Sequence, residues 1–181
     1  MVGLGFAVFE TAIGHCGIAW DEHAVIGSTL PEGDEERTRT RLRTAFPDAV
    51  EQPPPAFARH AIDGVTALLR GETPGGLAAV PLDLRRVPPF HARVYEVARA
   101  IPPGSTMTYG EIAAQLGDPG SARAVGQALG SNPFAPIVPC HRIVAAGGKT
   151  GGFSARGGTA TKLRMLAIEG VQLEEPTLFD L

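Results

Sequence analysis

The residues best suited to chemistry lie together in Pro139-Cys140-His141-Arg142-Ile143. Cys140 is the only thiol of the C-terminal half, the other cysteine being Cys16. A free thiol titrates near about 8.5, so a cysteine nucleophile needs a neighbour that takes its proton or stabilises the thiolate. His141 and Arg142 are the local candidates, although side chains adjacent in sequence rarely face each other. The plain alternative is a small buried hydrophobe, the usual condition of an isolated cysteine. A Cys-His hydrolase is disfavoured, because no oxyanion loop or separate base is evident. A metal centre is not expected either: His15, Cys16 and His23 lack a second cysteine to complete a ligand set.

These residues need a scaffold, and the chain supplies one in two styles. Phe6-Ala7-Val8-Phe9 and Cys16 to Trp20 read as strands joined by a turn at Ile13-Gly14, and His23 to Gly27 reads as a third. Residues 34–46 are helix-permissive, and Gln52-Pro53-Pro54-Pro55 is a stiff linker. The spacing Phe57, Ala61, Ile62, Val65, Leu68, Leu69 predicts an amphipathic helix stopping at Gly71. Alternation of Val80, Leu82 and Leu84 predicts a last strand.

Helices follow. Phe90, Val94, Val97, Ala98 and Ile101 form one apolar stripe, and Thr108-Tyr109-Gly110-Glu111 has the form of a capping box opening a helix to Leu116. In Gly117-Asp118-Pro119-Gly120, Asp118 is placed to cap and Pro119 to take the first helical position of a helix over about Ser121 to Leu129. Two short helices across such a turn predict a helix-turn-helix. The second is lined by small residues, with Arg123 its only long base. That surface suits close approach to a duplex of any sequence from the minor groove, with Arg123 as a wedge. The expected fold class is α+β: an N-terminal supporting domain over 1–86, built on a small antiparallel sheet with helices, then a mainly helical domain over 87–181.

Charge agrees with that division. Residues 1–84 hold six arginines and twelve acids, residues 85–165 ten bases and three acids, and residues 166–181 four acids and no base. A net +7 segment inside a chain of net charge −3 is the footprint of a polyanion-binding module. No apolar run approaches the ~18–20 residues of a membrane span. The start lacks the basic end and apolar core of a signal peptide, and two cysteines make no disulfide framework. A cytoplasmic, reduced protein is expected.

Asn132-Pro133, Pro139-Cys140-His141-Arg142-Ile143, Gly152-Phe153-Ser154 and Leu166-Ala167-Ile168-Glu169-Gly170 resemble the motifs of the O6-alkylguanine-DNA alkyltransferase family, over roughly the second half of the chain. The resemblance implies a winged-helix-like C-terminal domain and a monomer without cofactor or metal. Its substrate would be double-stranded DNA carrying O6-alkylguanine or, less readily, O4-alkylthymine. It implies a single irreversible transfer of the alkyl group to Cys140, with His141 relaying the thiol proton through water to Glu169. Asn132 would brace the turn. Tyr109 would donate to the flipped guanine ring, Phe153 would form a wall, and Ser154 would donate near the guanine oxygen. Arg123 would fill the gap left by the nucleotide, with Ser121, Ala124 and Arg142 also contacting DNA. Relatives that only sense damage replace the cysteine, so Cys140 argues against a non-catalytic lesion-binding module.

Two departures bear on the pocket. Phe153 stands where the family commonly has Tyr, and Ala155-Arg156 intervene before Gly157-Gly158, with Thr159 where Leu is usual. Gly pairs at 147–148, 151–152 and 157–158 predict a segment held weakly by local propensity.

Overall fold

The computed structural model describes residues 3–173. The chain divides into two compact units, Met1–Arg86 with Pro133–Ile137, and Val87–Asn132 with Val138–Leu181.

In the first unit, β1 (Gly5–Thr11) and β2 (Gly14–Trp20) form an antiparallel hairpin whose register runs from Gly5 opposite Trp20 to Thr11 opposite Gly14. The Thr11 hydroxyl closes the turn by donating to the Gly14 carbonyl at 2.7 Å. β3 (Val25–Thr29) extends β2 antiparallel. α1 (Glu35–Ala45) starts at Asp34, whose carboxylate accepts from the Arg37 amide. Glu35 and Glu36 in its first turn and Arg43 in its last suit the helix dipole. β4 (Val50–Glu51) then pairs parallel to β1, giving the sheet order β3-β2-β1-β4. The sheet is therefore mixed rather than antiparallel throughout. α2 (Ala56–Leu69) follows.

Strand β2 is buried on both faces, which explains its continuous rather than alternating apolar character. Phe6 and Ala19 pack on Leu42 of α1. A Cβ at Gly17 would lie 2.5 Å from Leu42 Cδ1, so only glycine admits α1 this closely. Cys16, Ile18 and Trp20 fill the opposite face, where α2 contributes Ala61, Val65 and Leu68. The strand expected at 80–84 does not form. Val80, Leu82 and Leu84 alternate, but the segment makes one bridge, Leu82 to Val25, and Pro81 has no amide to extend it. The β3 edge is instead covered by Pro133–Ile137, where Ser28 donates from its amide to Pro133 O and from its hydroxyl to Ala135 O.

In the second unit, α3 (Pro89–Arg99) buries Val94, Tyr95 and Ala98. β5 (Met107–Thr108) leads into α4 (Tyr109–Gln115), where the Thr108 hydroxyl accepts from the Glu111 amide as the capping box requires. A short 3₁₀ turn with Pro119 in its first position leads to α5 (Ala122–Gly130). The Asp118 side chain does not cap; its carbonyl accepts from the Ser121 amide and hydroxyl. β6 (Ile143–Val144) pairs parallel to β5, and α6 (Gly158–Ile168) completes the described fold. No helix among the described residues is long and apolar enough to cross a membrane.

Candidate active site

Cys140 opens a 3₁₀ turn, Cys140–Arg142, directly after Pro139. The turn is held by the Cys140 amide on Val138 O at 2.8 Å and the Arg142 amide on Pro139 O at 2.9 Å. The Asn132 amide donates to the Val138 carbonyl at 2.9 Å, tying the point where the chain leaves this unit to the point where it returns. Asn132 is thus bonded two residues before the thiol. β6 follows at once, and its pairing Met107 to Ile143 and Thr108 to Val144 delivers Tyr109 beside Cys140. This two-residue ladder sets the distance between nucleophile and phenol. Nothing periodic in the sequence announces it.

Cys140 is half-buried and forms part of a 420 Å³ cavity with Tyr109, Gly126, Leu129, Gly130, Gly152, Phe153 and Ser154. The cavity thus unites four of the expected residues, and α5 supplies one wall. The Tyr109 ring is fixed by backbone: a Cβ at Gly151, whose φ is +72°, would lie 2.7 Å from its hydroxyl. Burial, and then the charge of Cys140, push the Tyr109 phenol above its ordinary pKa, so at neutral pH it carries a proton to donate.

The two groups expected to carry the thiol proton are buried. His141 and Glu169 are 1% and 3% exposed at the side chain, and His141 Nε2 lies 2.7 Å from Glu169 Oε1. The contact is direct, so no water is needed on that side. Burial alone would raise the Glu169 carboxyl, but His141 and Arg142 hydrogen bonds and charge pull it down to about 2. It is therefore the acceptor, and His141 Nε2 donates. Burial lowers the His141 pKa against the pull of Glu169, leaving the ring neutral with its lone pair on Nδ1. Nδ1 is buried and has no hydrogen-bond partner among the described residues. Burial also raises the Cys140 thiol, opposed by Asn132, by the Lys162 charge and by the Cys140 and His141 amides.

Arg142 requires correction. It was expected on DNA, yet it is 6% exposed, its Nε and NH2 donate to Glu169, and its NH1 donates to Ile101 O at 2.7 Å. A guanidinium so engaged is unavailable to a phosphate; it anchors Glu169. Arg123, by contrast, is exposed on α5, three residues and so one turn before the cavity residue Gly126, and forms no ion pair among the described residues. Ser121 and Ala124 flank it half-buried, the Ser121 hydroxyl already donating to Asp118 O. The inserted Ala155-Arg156 is tied to α6: the Gly158 amide donates to Ala155 O and the Thr161 hydroxyl to Arg156 O. The Arg156 side chain is exposed.

Lys162 escaped the sequence reading. It is fully buried on α6 with its ammonium 5.7 Å from the Tyr109 ring centroid. Its spacing from Met165 and Leu166, three and four residues on, places it on the buried face and was the available signal.

Residues 89–171 match the family described as 6-O-methylguanine DNA methyltransferase, DNA binding domain. The methylated-DNA–protein-cysteine methyltransferase of Mycobacterium bovis is 44% identical over 129 residues, 71% of this chain and 75% of that protein. The enzyme of the same description from Methanothermobacter thermautotrophicus is 34% identical over 159 residues, 87% of this chain and 81% of that one. The crystal structure of Mycobacterium tuberculosis OGT in complex with DNA superposes with a TM-score of 0.74 at 34% identity, covering 91% of this chain and 92% of that one. On these matches, with Cys140 lining the cavity and His141 paired to Glu169, the chain belongs to the methylated-DNA–protein-cysteine methyltransferase family.

Proposed function

We propose that this protein repairs DNA by moving the alkyl group of O6-alkylguanine onto Cys140, once per molecule. The observation that carries the reading is a thiol that lines a cavity, followed in the same turn by a buried His141 bound to an ionised Glu169. A lesion inside a stacked duplex is out of reach, so the nucleotide is turned out into the cavity. His141 Nδ1 accepts the Cys140 proton, directly or through a water, and the imidazolium is stabilised by Glu169. The thiolate attacks the alkyl carbon, the sulfur–carbon bond forms, and the carbon–oxygen bond breaks. Its electron pair passes to the guanine, where the Tyr109 hydroxyl donates to a ring nitrogen and Ser154 to the oxygen. Phe153 walls the base. The product is a thioether that no group in the site reverses.

The test is titration of a duplex carrying O6-methylguanine with increasing protein. Lesions removed should equal protein added, up to exhaustion of the lesion. Removal continuing beyond one per molecule would overturn the single-use reading, and binding without removal would favour a lesion sensor.

Arg123 fills the space of the extruded nucleotide in this account. Arg123→Ala should slow repair of duplex DNA about tenfold or more while leaving reaction with free O6-benzylguanine unchanged, since an unstacked base needs no wedge. Parallel second-order rates on the two substrates check it; equal loss on both counts against the wedge.

A further inference from the structure

The inserted Ala155-Arg156 takes no part in the transfer described above, yet it lies beside the pocket. Ser154 lines the cavity and is itself exposed, so it stands at the rim, and Arg156 is two residues further on. Two residues span at most about 7 Å. The backbone of the insertion is bonded to the start of α6, with the Gly158 amide on Ala155 O at 2.9 Å and the Thr161 hydroxyl on Arg156 O at 2.7 Å. The Arg156 guanidinium is exposed and forms no hydrogen bond or ion pair among the described residues.

Residues 119–168 contain six bases and no acid. Of the six, Arg142 and Lys162 are buried, whereas Arg123, Lys149, Arg156 and Arg164 are exposed. No carboxylate of that stretch offsets the charge of Arg156. A guanidinium left in this state matches a phosphate, which it can hold through two parallel N–H donors. A nucleotide turned into the cavity brings such a group with it. Its base enters, while the sugar and the phosphate on either side stay at the rim, because they are joined to the rest of the strand. Those two phosphates are the anions brought to Ser154, and Arg156 is the exposed cation nearest to Ser154 along the chain.

We propose that Arg156 binds one of the two phosphates flanking the extruded nucleotide, so that the site holds the displaced strand as well as the base. The proposal rests on the cavity receiving that nucleotide. It gives two exposed arginines beside the pocket separate tasks. Arg123, on α5, fills the space left in the duplex, and Arg156, just before α6, holds the strand outside it. A contact to backbone reads no base, so it serves a lesion in any sequence.

The experiment uses the full chain carrying Cys140→Ala, so that a duplex with one O6-methylguanine is bound and not repaired. Adding Arg156→Ala should weaken binding roughly three- to tenfold and lower the slope of log affinity against log salt by about 0.9, the value of one phosphate contact. Arg156→Lys, which keeps the charge, should retain the slope. Each flanking phosphate is then replaced in turn by an uncharged methylphosphonate. At one of the two positions the replacement should weaken binding by the protein that keeps Arg156 and leave the Arg156→Ala protein unaffected. A variant that had merely lost local structure would remain sensitive to the replacement. An unchanged salt slope, or equal sensitivity of both proteins at both positions, overturns the proposal. If the protein with Cys140 leaves the lesion in place while the phosphate dependence is found, the transfer reading fails and the Arg156 contact stands.

Discussion

Cys140→Ala will lose alkyl transfer completely while keeping its fold and its affinity for DNA. The side chain is half-buried and small, so truncating it removes little packing and opens little cavity. The turn around it is held by backbone hydrogen bonds and by the Asn132 amide on Val138 O, all of which remain when the sulfur is removed. No other thiol can replace it. Cys16 is wholly buried in the sheet of the first unit, and burial pushes its pKa up to about 12 despite the Thr11 hydroxyl. Methyl transfer and duplex binding measured side by side check the prediction; residual transfer would place the nucleophile elsewhere.

Glu169→Gln carries the next largest effect, because one carboxylate serves both the Arg142 guanidinium and the His141 ring. The substitution keeps the shape but leaves Arg142 buried with its charge unmatched, at a cost of about 3 kcal/mol. It also removes the anion that stabilises a protonated His141, which should slow transfer about a hundredfold. The stability term has a definite pH dependence. Folding lowers the Glu169 pKa from 4.5 to about 2, so the stabilisation is fully present above pH 4.5 and is lost as pH falls toward 2. Thermal unfolding of the unsubstituted protein should weaken across that window, and the Gln variant should show a flatter curve there. An equally steep acid limb in both would remove Glu169 from the stability account.

How much of this was legible in the sequence depended on whether the signal was local. The Cys140 turn, the Thr108 cap that starts α4 at Tyr109, and the small-residue helix α5 with Arg123 all follow from neighbouring residues, and all form as read. What failed to read was long-range. The β5–β6 ladder is two residues long on each side, too short for any periodicity, yet it joins the phenol to the thiol. Arg142 comes two residues after the nucleophile and is basic, so it resembled a phosphate ligand until its partner at the C-terminal end of α6 was visible. Lys162 was passed over because lysine is almost never fully buried, and only its place on the apolar face of α6 suggests otherwise. The glycine-rich loop meets α6 at its last residues, where the Gly158 amide donates to Ala155 O and the Thr161 hydroxyl to Arg156 O.

The measurement closest to the central claim is the mass of the Cys140 peptide after the protein has met a duplex containing a single O6-methylguanine. The account predicts that this peptide gains one CH2, that the increment lies on the Cys140 sulfur, that the Cys16 peptide is unchanged, and that the DNA now holds guanine. Guanine restored while the Cys140 peptide keeps its original mass would contradict it, since the methyl group would then have gone to another residue or to water.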